Sequence, residues 1–257
     1  MMVRFAGRRA MRYLILSDIH SNLTALDAAL EAAKGRWEEA VCLGDVVGYG
    51  PDPNEVIDKL RALGAFAIRG NHDKAVSGLA DAEEFNPVAR AAALWTRERL
   101  SPENREYLER LPTGPVSRNG FSMIHGAFHD EDEYVFSPAL AVDGLLSTPT
   151  DISFFGHTHI QGGFALRGED IQVLHLTPPG ANLFSNFHPE SGTKYLLNPG
   201  SIGQPRDGDP RAGFAIADID SQSVEFWRVA YDIEAVQQRM RMAKLPEALV
   251  LRLSFGR

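Results

Sequence analysis

Aspartate, asparagine and histidine recur in this chain directly after short apolar runs. The clusters are Asp18-Ile19-His20-Ser21-Asn22, Gly44-Asp45, Gly70-Asn71-His72-Asp73, His125-Gly126 and Gly156-His157-Thr158-His159, and they hold five of the eight histidines. Carboxylate, imidazole and amide oxygen, without thiolate, suit Mn, Fe or Zn in a hydrolytic centre, and a pair of such ions needs roughly seven or eight ligands. A carboxylate shared by two cations about 3.5 to 4 Å apart would join them into one cluster, and Asp45 is the natural candidate for that place.

Each cluster also has an ordinary structural reading. Asp18 and His20 suit a helix cap and a surface imidazole, and Gly44-Asp45 is common turn chemistry. His125 beside Gly126 reads as a satisfied buried histidine. A turn uses Gly70 and Asn71 but has no need of His72-Asp73. In an extended segment His157 and His159 would face the same side. One shared site explains all five clusters together, whereas the ordinary readings need five coincidences.

The elements that must position these groups follow from the apolar spacing. Residues 13–16, 40–43 and 65–68 read as strands, with helices over 23–33 and 54–63 between them, so a parallel sheet is expected with its ligands beyond the carboxyl ends of the strands. From about 80 to 111 the chain reads as an inserted helical lobe, with helices over 87–100 and 102–111. Strands return at 121–124, 152–155, 163–166, 173–176, 194–197, 214–217 and 224–229, and 233–253 reads as helix broken at Pro246. The acidic loop 127–138 directly follows the His125 cluster, and it is expected to shape a pocket together with the lobe.

A hydrophobic fraction of 44% and a charged fraction of 23% are ordinary for a folded domain and exclude a disordered or membrane composition. A net charge of -8 repels polyanions, so no stable nucleic-acid complex is expected and any phosphate must be held by a local positive site. The single cysteine, Cys42, allows no intrachain disulfide and fits a cytoplasmic setting; it reads as a small core residue. Residues 1–10 carry Arg4, Arg8 and Arg9 and are expected to be a disordered extension ahead of Met11, with 11–257 as one domain. The apolar run after them is too short for a signal peptide, and no stretch is long enough to span a bilayer.

In order and spacing the five clusters resemble the signature of the calcineurin-like metallophosphoesterases: D-x-H, G-D, G-N-H-D or G-N-H-E, H, and G-H-x-H. The resemblance covers about 11–229. Residues 49–54 and 198–206 look like a compact prokaryotic branch often labelled protein phosphatase or dinucleoside tetraphosphatase. It implies an α/β fold, a four-layer α/β/β/α sandwich of two mixed sheets. The implied activity is that of a dinuclear metal-dependent phosphoesterase, cleaving a phosphodiester or phosphoanhydride, with a nucleotide-like small molecule favoured, by in-line attack of a metal-bridging hydroxide.

The resemblance further implies that Asp18, His20 and His159 hold one divalent ion, that Asn71, His125 and His157 hold the other, and that Asp45 bridges them. Mn is the foremost metal, with Fe or Zn as alternatives. His72 is then left to protonate the leaving group, with Asp73 orienting its ring and favouring the imidazolium. Arg206 is a candidate phosphate clamp and Asn22 a candidate contact near the site; the structural alternatives are an ion pair for Arg206 and a helix cap for Asn22. Tyr49, His129 and His188 are rim candidates or solvated loop groups. The competing readings are a phosphomonoesterase or protein phosphatase, and a catalytically silent binding scaffold of the same fold, which should lack part of the site. A metallo-β-lactamase-type hydrolase would need an H-x-H-x-D-H run, and the chain has none.

Overall fold

The computed structural model describes residues 11–257, so the expected extension over 1–10 lies outside the described residues. Strands β1 (Arg12–Leu16), β2 (Glu39–Cys42) and β3 (Phe66–Ala67) run parallel, and each leads into a helix: α1 (Leu23–Ala32), α2 (Pro53–Ala62) and α3 (Asn71–Ser77). They are apolar at nearly every position because both faces are covered. Leu14 and Leu16 pack with Leu26 of α1 and Ile57 of α2, while Tyr13 and Ile15 pack with Phe121 and Phe154 of a second sheet.

The first sheet is mixed. Beyond β1 it continues through antiparallel β11 (Ala212–Asp218), β12 (Ser223–Val229) and β9 (Phe184–Phe187), giving the order β3-β2-β1-β11-β12-β9. The second sheet takes β4 (Val116–Arg118), β5 (Phe121–Met123), β6 (Ile152–Phe154), β10 (Lys194–Asn198), β7 (Gly162–Arg167) and β8 (Asp170–Leu174) in that spatial order. Helix α6 (Pro138–Ser147) covers its outer face, with Ala141 and Leu145 packed on Phe164 and Leu196. Helix, sheet, sheet and helix make the four-layer α/β sandwich.

Helices α4 (Pro87–Arg99) and α5 (Pro102–Glu109) begin at Asn86 and Ser101, whose side chains accept from the backbone N–H groups of the first turn, with proline as the first helical residue. Ala93 and Leu108 belong to the same apolar core as Leu14 and Leu16, so this segment packs onto the helical layer and does not stand apart as a lobe. Helices α7 (Ile233–Met242) and α8 (Glu247–Arg252) flank the break at Pro246. Four elements differ from the sequence reading, helix α6 being one that it does not contain. Strands β4 and β9 are short with half-exposed residues, which blurs alternation, and the turn expected at 70–73 is instead the first turn of α3.

Candidate metal centre

The five clusters converge at the carboxyl ends of β1, β2 and β3 and at the turns after β5 and β6. Asp18, His20, Asp45, His157 and His159 all have φ between 50° and 64°, a left-handed conformation uncommon outside glycine. Such residues cost on the order of 1 kcal/mol each and persist when the surroundings over-determine them. Here Asp18 N donates to Gly44 O at 3.1 Å and His20 N to Asp45 O at 3.0 Å, so the first two turns lock each other. His157 and His159 therefore do not lie on an extended segment. Each is turned by its own left-handed residue, and they enter different groups.

One group is Asp18, His20, Asp45 and His159; the other is Asp45, His125 and His157, and in each the ligand atoms lie within 4.8 Å of one another. Asp45 belongs to both. Its Oδ1 accepts from His72 N at 2.9 Å, and its Oδ2 lies 3.5 Å from His20 Nε2 and 3.5 Å from His125 Nε2. His159 Nε2 is 3.4 Å from Asp18 Oδ1, and Asn71 Oδ1 is 3.3 Å from His125 Nε2, which brings the amide into the second group. Gly70 permits this closeness, because a Cβ there would collide with the Asp45 carboxylate and backbone.

Backbone carbonyls fix the rings. Nδ1 of His20, His125 and His159 donates to Val47 O at 3.1 Å, Leu43 O at 2.8 Å and Gln204 O at 2.6 Å, while His157 donates through Nε2 to Asp132 O at 3.0 Å. The neutral rings of His20, His157 and His159 then turn a lone pair inward, and His125 does so once it loses its second proton, the usual arrangement for a metal-binding histidine. His20 Nε2 and His159 Nε2 stand 3.2 Å apart with neither carrying a proton between them, beside the Asp18 and Asp45 carboxylates. Two facing lone pairs next to buried carboxylates fit a cation, and the oxygen and imidazole donors fit a divalent transition metal.

The protonation pattern has the same sense. Burial raises the Asp45 carboxyl, but the charges of His125, His72 and His20 outweigh it and hold it well below the usual range. Burial lowers His125, yet the Asp45 and Asp18 carboxylates lift it to about 10. Burial raises Asp18 to about 7, pushes His157 down to about 3 and lowers His20 and His159 well below the ordinary histidine value. With no cation present, a proton on His125 balances the carboxylates.

The remaining site candidates separate clearly. Asp73 does not touch the His72 ring: its carboxylate accepts from Gly70 N and Val47 N, both at 3.1 Å, which corrects the ring-orienting role. Instead the ring is held by Tyr49 at 4.4 Å and Phe85 at 4.6 Å, its buried Nδ1 has no partner, and burial lowers its pKa to about 4, away from the imidazolium. Asn22 takes its structural alternative: buried, it caps α1 through Ala25 N at 3.1 Å and donates to Gly203 O at 3.1 Å. Arg206 donates to Gln204 Oε1 at 3.1 Å and Tyr49 OH at 3.4 Å and pairs with no carboxylate among the described residues. Tyr49 is buried. His129 faces Asp143 at 3.4 Å on the exposed surface, and His188 lines a separate hollow with Tyr195, so neither belongs to the rim.

Residues 11–222 match the calcineurin-like phosphoesterase superfamily domain. The chain belongs to this family. It is similar to an uncharacterized protein of Methanocaldococcus jannaschii, 36% identical over 95% of this chain and 97% of that one. A crystal structure of a metallophosphoesterase from Sphaerobacter thermophilus superposes with a TM-score of 0.81 at 39% identity, over 96% of this chain and all of the other. A hypothetical protein from Pyrococcus horikoshii shares the fold at a TM-score of 0.77 and 24% identity, over 96% and 99% of the two chains. This phosphoesterase is thus a metal-dependent enzyme by family, with a buried Asp/His cluster able to hold two divalent ions.

In this phosphoesterase a cavity of about 510 Å³ opens beside the cluster, with Asn71, His72 and His157 on its floor. The segment before α4 supplies one wall and the acidic loop the other, where Tyr134 stacks on His157 at 3.7 Å and 20°. The aromatic contacts of Phe85 and Tyr134 escape a sequence reading. Their only signal is an aromatic residue within each of two polar, acidic segments. No helix among the described residues is long and apolar enough to cross a membrane.

Proposed function

We propose that this chain hydrolyses a phosphodiester or phosphoanhydride bond in a small molecule, nucleotide-like compounds being the first class to test. Asp18, His20 and His159 would hold one divalent ion, Asn71, His125 and His157 the other, and Asp45 would bridge them, with Mn foremost and Fe or Zn as alternatives. The observation that carries this is Asp45 Oδ2, equally distant at 3.5 Å from an imidazole of each group, beside a cavity sized for a small molecule. When bound, such ions supply Lewis acidity toward phosphoryl oxygens and acidify water near neutral pH.

The chain's own residues do the rest. Arg206, with a guanidinium free of carboxylates and its Nε buried without a partner, orients the phosphate. His72 lines the cavity, and its buried Nδ1, against Gly48, has no hydrogen-bond partner. Its pKa of about 4 means that protonation awaits the negative charge of an arriving phosphate, which raises it and lets the ring protonate the leaving oxygen. The reading takes 11–257 as one catalytic domain in a cytoplasmic setting.

Manganese-loaded protein assayed on phosphodiesters, dinucleotides, aryl phosphomonoesters and phosphoproteins tests the proposal. Turnover of small diesters or anhydrides is expected. Turnover confined to phosphoproteins would replace it with a protein phosphatase, and full metal content without turnover would replace it with a binding scaffold.

A further inference from the structure

Two arginines meet next to the metal centre with no negative group between them. The backbone N–H of Arg206 donates to the carbonyl of His159 at 3.2 Å, and its Nη2 donates to Gln204 Oε1 at 3.1 Å. Arg252, the last residue of α8, donates through Nη1 to the same Gln204 Oε1 at 3.2 Å. The other side-chain oxygens beside Arg206 are the phenols of Tyr49 and Tyr134. Neither guanidinium pairs with a carboxylate among the described residues. The four arginines between them in sequence, Arg211, Arg228, Arg239 and Arg241, each do.

The place is therefore rich in donors and short of acceptors. Gln204 is 1% exposed, and its amide is oriented by the two guanidiniums that its oxygen receives. Its Nε2 and the Nε of Arg206 are buried without a partner. Burial and the charge of Arg206 lower the pKa of Arg252, as two cations without a counterion require. Arg252 also lines a hollow of about 230 Å³ with Tyr49, Asn86, Val88, Ala89 and Leu249, and no acidic residue lines it. Tyr49, Asn86 and Ala89 line the cavity beside the metal centre as well, so the two spaces adjoin.

Buried donors without acceptors and like charges on one neutral oxygen are both costly, and an anion relieves both. Guanidinium groups match phosphoryl oxygens through paired N–H groups. One such group, Arg206, serves the phosphate at the metals, which leaves Arg252 unused. Because both donate to a single oxygen, the two guanidiniums stand close enough to serve adjoining phosphoryl groups.

We propose that Arg252, with Arg206 beside it, forms a second anion subsite that holds the phosphoryl group next to the one attacked and so selects phosphoanhydrides over diesters with a single phosphorus. The place of this subsite in the reaction rests on the phosphoesterase reading above, while the anion binding rests on the arginine pair alone.

The test compares methanedisulfonate, a weakly chelating analogue of two linked phosphoryl groups, with methanesulfonate. Binding to the intact metal-loaded chain, freed of excess metal, is followed by calorimetry. The disulfonate is expected to bind about tenfold more tightly. In Arg252→Ala that preference is expected to fall to about threefold or less, and in Arg252→Lys, which keeps the charge, to stay above the alanine value. A role confined to tying α8 to Gln204 would lower the melting temperature and weaken both ligands alike, leaving their ratio unchanged. Equal binding of the two ligands, or a ratio that survives Arg252→Ala, would overturn the proposal. In turnover, the ratio of kcat/KM for adenosine diphosphate ribose to that for bis(p-nitrophenyl) phosphate should fall about tenfold in Arg252→Ala. An unchanged ratio with both compounds hydrolysed would overturn this inference and leave the hydrolase standing. A disulfonate preference that collapses in Arg252→Ala, without hydrolysis of any ester or anhydride, would support the anion subsite and sink the hydrolase.

Discussion

The backbone N–H of His72 donates to Asp45 Oδ1 at 2.9 Å, so a residue that lines the cavity also pins the carboxylate shared by the two ligand groups. Ring and backbone have separable tasks. Replacing His72 by Ala keeps the backbone bond and removes only the ring. The expected outcome is a kcat lower by about two to four orders of magnitude with metal content unchanged. Steady-state kinetics with elemental analysis checks it, and loss of metal would make His72 a ligand or a support of one.

Asp73 acts on the backbone. It is wholly buried and accepts from Gly70 N and Val47 N, so it ties the start of α3 to the turn after β2. Asp73→Asn puts an amide N–H against a backbone N–H and is expected to cost about 1 to 3 kcal/mol of stability. The pH dependence of kcat should keep its shape, because His72 does not depend on this carboxylate. Denaturant unfolding and a pH profile decide it; an unchanged stability with a displaced profile would restore the ring-orienting role.

His125 gives a pH dependence with a definite sign. Its folded pKa is raised from 6.5 to about 10, so in the metal-free protein its proton contributes stability that is full below pH 6.5 and is lost as the pH rises through about 10. Asp18, raised to about 7, is likewise protonated below that value without metal. A cation needs both groups deprotonated, so binding should release protons and tighten as the pH rises through about 7, where Asp18 loses its proton, toward about 10, where His125 does. Manganese titrations by calorimetry in buffers of different ionisation enthalpy should differ in heat. Identical heats would contradict the account.

Much of this arrangement is legible in the sequence because the ligand types are side chains placed at the ends of apolar runs. Asp18, Asp45 and Asn71 each follow a strand that is buried on both faces, and such strands read plainly. What holds the rings is not legible. Val47, Leu43 and Gln204 act through their carbonyls, which any residue type carries. Asp73 is misread for a related reason, since adjacency to His72 looks like pairing, whereas the first turn of α3 sends the two side chains in different directions. His157 and His159 are separated by left-handed backbone that residue type does not announce. The edge strand Phe184–Phe187 is missed because its half-exposed alternation is shared by many loops.

The central claim is that seven side chains from distant segments enclose two cations with Asp45 between them. Crystals grown with manganese and measured at the manganese absorption edge test it most directly. The account predicts two anomalous peaks per chain, about 3.5 to 4 Å apart, with Asp45 Oδ2 touching both. A single peak, or two peaks that do not share Asp45, would contradict it.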